Sequence, residues 1–517
     1  MLLVMVGQKL KIAYPVFLVI GGLLISLIPG MPHPGIQPDL IFLIFLPPLL
    51  YEAAWYTSWP NFWKMRWPIA VHGFGLVIVT SLIVAFFSEK IVPRFTLSIG
   101  LLLGGIISPP DAVAASSVLK LFKIPKKVKT ILEGESLVND AASLTVFRFA
   151  MAAVISGTFV LQKAATAFVM VTIMGILIGL LIAQIIFYIH KLFKTTPSIA
   201  TALTLITPYI MYLTAEHFHY SGVLAVVSGG LFLSSRSHEI LNHRARLQAA
   251  GVWATLESIL NGLIFILIGL QLPLIVEGLK YYTFAEAIRY GLIISGLIIV
   301  IRMVWVYLAS YLPVVFSKKI RNKELRPNGK EIFLVGWTGM RGVVSLASAL
   351  AIPLTLADGK EFPERDLVLF ISFVVILVTL VLQGLTLPWV IRKLDLNEDK
   401  LEIPAEVQSM QIRWMLIKLS LEHLQEVHAD LLRTNSLVKT YEKRLNNDLD
   451  FTHLNIENLQ NTQVDEKKEV AELKKVLYEI GHFQHKQLTR VRLNELYDED
   501  VIRKEESRLD LDQNKIG

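Results

Sequence analysis

Residues 10–394 of this chain are one apolar run after another, many of them 18 residues or longer without interruption. A run of about 20 apolar residues, wound as a helix, spans the hydrocarbon core of a bilayer. A closed barrel would need strands that alternate apolar and polar side chains, and these solid runs do not alternate. The predicted fold class is therefore an all-α membrane protein with the lipid bilayer as its partner. The runs divide into twelve spans: about 10–28, 39–57, 67–87, 94–119, 130–155, 164–193, 197–216, 219–235, 250–275, 284–312, 331–356 and 366–394.

Charge supports that division. The net charge is +7 and the pI about 9.2, a balance also found in nucleic-acid binders. Here the basic residues instead collect in alternate loops, so a nucleic-acid partner is not expected. One set of loops holds Lys9 and Lys11, Lys64 and Arg66, five lysines from Lys120 to Lys129, Lys191 and Lys194, Arg236, Arg244 and Arg246, and six basic residues from Lys318 to Lys330. The other set holds only Lys90, Arg94, Lys163, Lys280, Lys360 and Arg365. The positive-inside rule makes the first set cytoplasmic, and with it both termini. The absence of cysteine excludes disulfides, haem thiolates and cysteine-ligated metals.

Two spans are interrupted. The fourth carries Ser108-Pro109-Pro110-Asp111, and two adjacent prolines remove two donors and clash with the preceding turn. The eleventh carries Gly336-Trp337-Thr338-Gly339-Met340-Arg341-Gly342, with Gly339 and Gly342 inside the loosened stretch. Seven steps separate the two spans, so they cross the membrane in opposite senses. Paired interruptions of this kind mark inverted six-helix repeats with two broken, crossing helices. The repeat arithmetic leaves the first half one span short, with Met1 to Gly7 expected as the tail of an absent first helix in a thirteen-span protein.

The fifth span opens with Glu133-Gly134-Glu135-Ser136-Leu137-Val138-Asn139-Asp140-Ala141-Ala142-Ser143. At about 100° per residue, Glu135, Ser136, Asn139, Asp140 and Ser143 fall within an arc of roughly 140°. Ionisable groups at membrane depth are costly and mark ion or substrate pathways. Further buried charges recur as Glu52, Asp111, Arg302 and Arg341, with Glu257 nearer the cytoplasmic side. Arg302 lies inside Ile299-Val300-Ile301-Arg302-Met303-Val304 and requires a carboxylate partner, Glu135 or Glu52. A glutamate held in that pair is structural, which leaves Asp140 for transport.

Asp111, Asp140 and Ser136, with carbonyls freed at Pro109-Pro110, provide the oxygen ligands that replace the water of a monovalent cation. A desolvated carboxylate holds either a proton or that cation, and the competition alone couples their exchange. At crossed half-helices, Asp111 offsets the positive ends and Arg341 the negative ends. No cofactor is expected. Nor is enzymatic chemistry: no nucleophile–base pair or HExxH spacing is present, and His217-Phe218-His219 beside Glu216 is too short for a metal site. A passive channel would need a continuous pore or a filter of repeated carbonyls, which nothing here resembles.

Beyond about Asn397 the chain becomes charged. Residues 1–397 are read as the transmembrane domain and 398–517 as a cytoplasmic helical tail. Met410, Ile412, Met415, Leu416, Leu419, Leu421 and Leu424 mark one helix over 409–433, and Leu473, Val476, Leu477, Ile480 and Phe483 a second seam over 463–509.

Four motifs in order resemble the sodium/proton exchanger family: Phe45-Leu46-Pro47-Pro48-Leu49-Leu50-Tyr51-Glu52-Ala53, Ser108-Pro109-Pro110-Asp111-Ala112-Val113-Ala114, Gly134-Glu135-Ser136-Leu137-Val138-Asn139-Asp140 and Gly339-Met340-Arg341-Gly342. The likeness covers about residues 8–395. It implies a homodimer with a mobile six-helix core that moves like an elevator in the plasma (inner) membrane. It implies electroneutral exchange of Na⁺, or K⁺ or Li⁺, for H⁺. It assigns ion binding to Asp140, Ser136 and Asp111, and a supporting network to Glu52, Asn139 and Arg341, with Arg302 pairing Glu135. Where members of that family commonly have Thr-Asp-Pro, this chain has Pro110-Asp111-Ala112, so the role of that hydroxyl passes to a carbonyl or water.

Overall fold

The computed structural model describes residues 14–26, 28, 38–119, 122, 124–157, 161–193, 196–279, 281–316, 328–356, 359–396 and 405–460, with five isolated positions between 476 and 487. Met1 to Gly7 and most of the expected 463–509 seam, Leu473 and Leu477 included, lie outside the described residues. The described chain is helical, and its one β-pairing is an isolated bridge between Thr355 and Glu361.

The principal helices of the membrane unit are α1 (Tyr14–Ser26), α2 (Pro38–Tyr56), α3 (Arg66–Ile91), α4 (Leu97–Ile107), α5 (Ala112–Leu119), α6 (Lys126–Ser156) and α7 (Leu161–Leu192). They continue as α8 (Pro197–His217), α9 (Gly222–Ser235), α10 (His243–Leu270), α11 (Phe284–Phe316), α12 (Gly329–Trp337), α13 (Val343–Leu350) and α14 (Arg365–Leu394). Among the described residues, seven helices are long and apolar enough to cross a membrane: α3, α6, α7, α8, α10, α11 and α14. Four of the expected spans appear as shorter apolar helices, within α1, α2, α4 and α9. The fourth expected span is divided into α4 and α5, and the eleventh into α12 and α13, at the proline and glycine motifs that predict the interruptions.

Helix starts follow their capping residues. Thr96, Ser221 and Asn242 each accept a hydrogen bond from the backbone N–H three residues on, at 3.3, 3.2 and 2.9 Å. At α11, Thr283 N–H and hydroxyl donate to Glu286 at 3.0 and 2.8 Å, and Glu286 N–H donates back to Thr283 at 3.3 Å. Two π-helical turns interrupt long helices, Val71–Leu76 within α3 and Thr379–Gln383 within α14. An extra residue per turn re-aims the side chains beyond it, and such turns are frequent at functional sites.

Between apolar helices in lipid, close backbone approach replaces the hydrophobic drive. At the α1–α10 crossing a Cβ on Gly22 would fall 2.2 Å from Ile266 O, and one on Gly269 would fall 2.2 Å from Val19 O. Gly104 of α4 also lies close to α3, with Ser81 O 2.6 Å from its would-be Cβ. The buried apolar side chains form two clusters. One gathers α4, α5, α11, α13 and α14 with parts of α1, α3, α6 and α10; the other gathers α2, α7, α8 and α9 with the remaining faces of α6 and α10.

The described residues from Ala405 to Gln460 belong to a separate compact unit. Its helix Ala405–Val427 pairs with Ser436–Gln460, where Gln425 donates to Glu442 at 3.0 Å and the Trp414 and His453 rings lie 6.1 Å apart. The single helix expected over 409–433 ends at Val427, and a helix the periodicity does not reveal follows from Ser436. Its buried positions include Leu445, Thr452 and Asn455, so polar residues interrupt the apolar seam. Ile412, Met415, Leu416 and Leu419 are exposed within this unit rather than packed.

Gly269→Ala is expected to destabilise the protein by about 1–3 kcal/mol through overpacking. Gly262→Ala on the same helix, where a Cβ meets nothing within 4 Å, leaves stability unchanged or slightly raised. Melting temperatures of the detergent-solubilised variants check the contrast.

Candidate cation site

The two interruptions meet. Pro109 and Pro110 end α4, and the freed backbone turns so that Asp111 N–H donates to Met340 O at 2.7 Å. Asn139 Nδ2, on α6, donates to Pro110 O at 3.0 Å. Arg341, fully buried, donates through Nε to Ile107 O at 3.0 Å, through a terminal nitrogen to Ser108 O at 3.4 Å, and also to Gly339 O. Its own N–H donates to Thr379 Oγ1 at 3.1 Å, in the π-helical turn of α14. The cation thus sits at the C-terminal ends of α4 and α12, where carbonyls concentrate negative charge.

Asp111 occupies the complementary position. It directly precedes α5, and its carboxylate lies against Gly342, the residue that caps α13. A Cβ on Gly342 would fall 1.7 Å from Asp111 Oδ2, so only glycine admits this approach. Two helix N-termini therefore face one carboxylate, and two C-termini face one guanidinium. Gly339 serves similarly against Arg302, whose Cδ would meet its Cβ at 2.3 Å.

Beside the crossing lies a cavity of about 50 Å³, lined by Pro109, Pro110, Asp111, Ser136, Asp140, Gly342 and Ser345 with apolar residues of α2, α6 and α13. A water needs at least about 10–15 Å³ of such space, so the cavity admits a partly dehydrated cation or a few waters. Asp140 is 8% exposed.

Arg302 and Glu135 form a bidentate pair at 2.6 and 3.3 Å, both 1% exposed, and Arg302 also donates to Val335 O at 3.1 Å. Of the two partners the sequence leaves open, Glu135 is the one bonded. Glu52 is half-buried on α2, does not line the cavity, and lies within electrostatic reach of Tyr56, as does Glu257. Glu216, beside His217, pairs with Arg148, whose Nη2 donates to both carboxylate oxygens at 2.7 and 2.6 Å. Among the described residues no cluster of three or more His, Asp or Glu has the arrangement of a metal centre. Sequence reading passes over Ser345 and Thr379. Ser345 sits in a run read as plain apolar helix, and Thr379 lies 38 residues from the arginine it meets.

Residues 1–393 match the family model described as sodium/hydrogen exchanger, transmembrane. The chain belongs to the sodium/hydrogen exchanger family. It is 32% identical over 439 residues to the sodium, potassium, lithium and rubidium/H⁺ antiporter of Bacillus pumilus (strain SAFR-032), covering 82% of this chain and 64% of that protein. To the antiporter of the same name from Bacillus subtilis (strain 168) it is 33% identical, covering 73% of this chain and 57% of that protein. The match thus spans less than two thirds of either relative. The low-affinity Na⁺/H⁺ antiporter NhaS1 of Synechocystis is 32% identical over 80% of this chain and 76% of its own. The fold is that of the sodium proton antiporter MjNhaP1 from Methanocaldococcus jannaschii, with a TM-score of 0.59, 20% identity, and coverage of 74% of this chain and 95% of that one.

Removing one member of a buried ion pair leaves the other uncompensated. Arg302→Met is expected to cost about 3–5 kcal/mol, and Arg302→Met with Glu135→Leu to recover most of that loss. Thermal unfolding in detergent checks it; a double variant no more stable than the single one would refute the account.

Proposed function

We propose that this protein is a secondary antiporter that exchanges Na⁺ for H⁺ across the plasma membrane at Asp140. The observation that carries the proposal is the sharing of one small cavity by two carboxylates, Asp111 and Asp140, with the Ser136 residue beside them. Two carboxylates brought together out of water repel each other when both are charged. Protons or a metal cation relieve that repulsion, and occupancy by one excludes the other. A cation arriving from the cytoplasm displaces the proton, and a proton arriving from outside displaces the cation. Cavity oxygens supply the cation's coordination, while Glu135, Arg302, Asn139 and Arg341 hold the frame. One cation for one proton moves no net charge. The family further supports a homodimer with inverted repeats about the crossing, and the basic loops support cytoplasmic termini.

A wider cation range is a second reading. Carboxylate and hydroxyl oxygens accept K⁺ and Li⁺ as well as Na⁺, and two of the relatives above are named for sodium, potassium, lithium and rubidium.

Asp140→Asn is expected to abolish cation-driven dequenching of a pH dye in everted vesicles, for Na⁺, Li⁺ and K⁺ alike, with the protein still folded. Persistent dissipation of the proton gradient by that variant rules out the assignment. In proteoliposomes, exchange should saturate with cation, compete with protons, and hold its rate when the membrane potential is clamped. A potential of 100 mV is worth about 2.3 kcal/mol per charge moved, so strong voltage dependence would exclude one-for-one exchange.

A further inference from the structure

Several serines and threonines buried in these helices donate to a carbonyl four residues back. Ser81 donates to Val77, Thr145 to Ala141, Ser295 to Gly291 and Ser372 to Val368, all at 2.7–2.8 Å. Ser345 does not. It is 1% exposed, lines the cavity with Asp111, Ser136 and Asp140, and its hydroxyl has no hydrogen-bond partner in the protein. The cause is local. The residues four and three positions back are Arg341 and Gly342, and Gly342 is far from helical at φ −150° and ψ −129°. The first turn of α13 thus opens at the interruption that positions Asp111, with Leu346 N–H donating to Gly342 O at 3.3 Å and the Ser345 hydroxyl left facing the cavity.

A buried hydroxyl without a partner is unfavourable, and one that opens onto a carboxylate-lined cavity is a neutral oxygen available to whatever enters. We propose that Ser345 is a specificity-determining ligand of the transported cation, contributed by α13 from the wall formed with Gly342. This rests on the reading of the cavity as the exchange site. Carboxylates bind cations by charge and discriminate weakly among Li⁺, Na⁺ and K⁺. A neutral oxygen fixed on a helix sets the distance at which coordination closes, so it weighs differently on ions of different radius.

The test is cation-driven proton flux in proteoliposomes of the full chain, with Li⁺, Na⁺ and K⁺ titrated separately into Ser345→Ala, Ser345→Thr, Ser348→Ala and Asp140→Asn. Ser348 is the control: it is equally buried on α13 and its hydroxyl is equally without a partner, but it does not line the cavity. Ser345→Ala is expected to raise the half-saturating concentration of the preferred cation about tenfold and to change the ratios among the three ions. Ser345→Thr, which keeps the oxygen, retains the parent ranking, and Ser348→Ala behaves as the parent. If Ser345→Ala leaves all three half-saturating concentrations unchanged while Asp140→Asn is inactive, the role of Ser345 is overturned and the cavity reading stands. If Asp140→Asn still exchanges, the cavity reading itself fails. A structural role for Ser345 would lower the melting temperature and scale all three ions equally, and that outcome also overturns the proposal.

Discussion

A backbone that leaves its helix inside a bilayer must find hydrogen bonds without water. This requirement governs the middle of the molecule. The chain leaves its helix twice, at Pro109-Pro110 and at Thr338–Gly342, and each interruption satisfies the other. Asp111 N–H meets Met340 O, Asn139 meets Pro110 O, and Arg341 reaches the carbonyls of Ile107, Ser108 and Gly339. Neither interruption is tolerable alone, because each would expose polar groups that lipid cannot solvate. The crossing is a single structural unit written in two stretches of sequence more than 200 residues apart.

That unit fixes where glycine is required. At Gly342 the Asp111 carboxylate occupies the space of a side chain, and at Gly339 the Arg302 side chain does. Glycine here gives up helix propensity in exchange for contact between a charge and a backbone, a different use from the tight crossings at Gly22 and Gly269. In both uses, small size permits an approach that any Cβ would prevent.

Legibility from sequence tracks these causes. The two interruptions were readable because proline and clustered glycine act on their own backbone. Asp111, Ser136 and Asp140 were readable as costly polar residues in apolar runs, and Arg302 demanded a carboxylate by the same argument. Thr379 was not readable, since its part is to accept one N–H from Arg341 and a lone threonine in an apolar helix ordinarily bonds its own preceding turn. Glu52, expected in the supporting network, is half-buried on α2 within electrostatic reach of Tyr56. The helix from Ser436 was missed because a two-helix unit with polar Thr452 and Asn455 in its seam leaves little periodicity. The π-helical turns left no local sign, as an extra residue per turn is imposed by packing.

The α6 helix keeps a charge locked in an ion pair apart from one that faces a cavity. Glu135 and Asn139 are four residues apart and share a face, and so do Ser136 and Asp140. The first pair is bound on the protein side, Glu135 to Arg302 and Asn139 to Pro110 O. The second pair faces the cavity. A charge locked into a bidentate pair costs several kcal/mol to disturb, so Glu135 is held in place by Arg302. Asp140 sits outside that pair, on a helix whose register the pair holds fixed. The frame's electrostatic energy is thus invested in Glu135 and Arg302, away from the cavity.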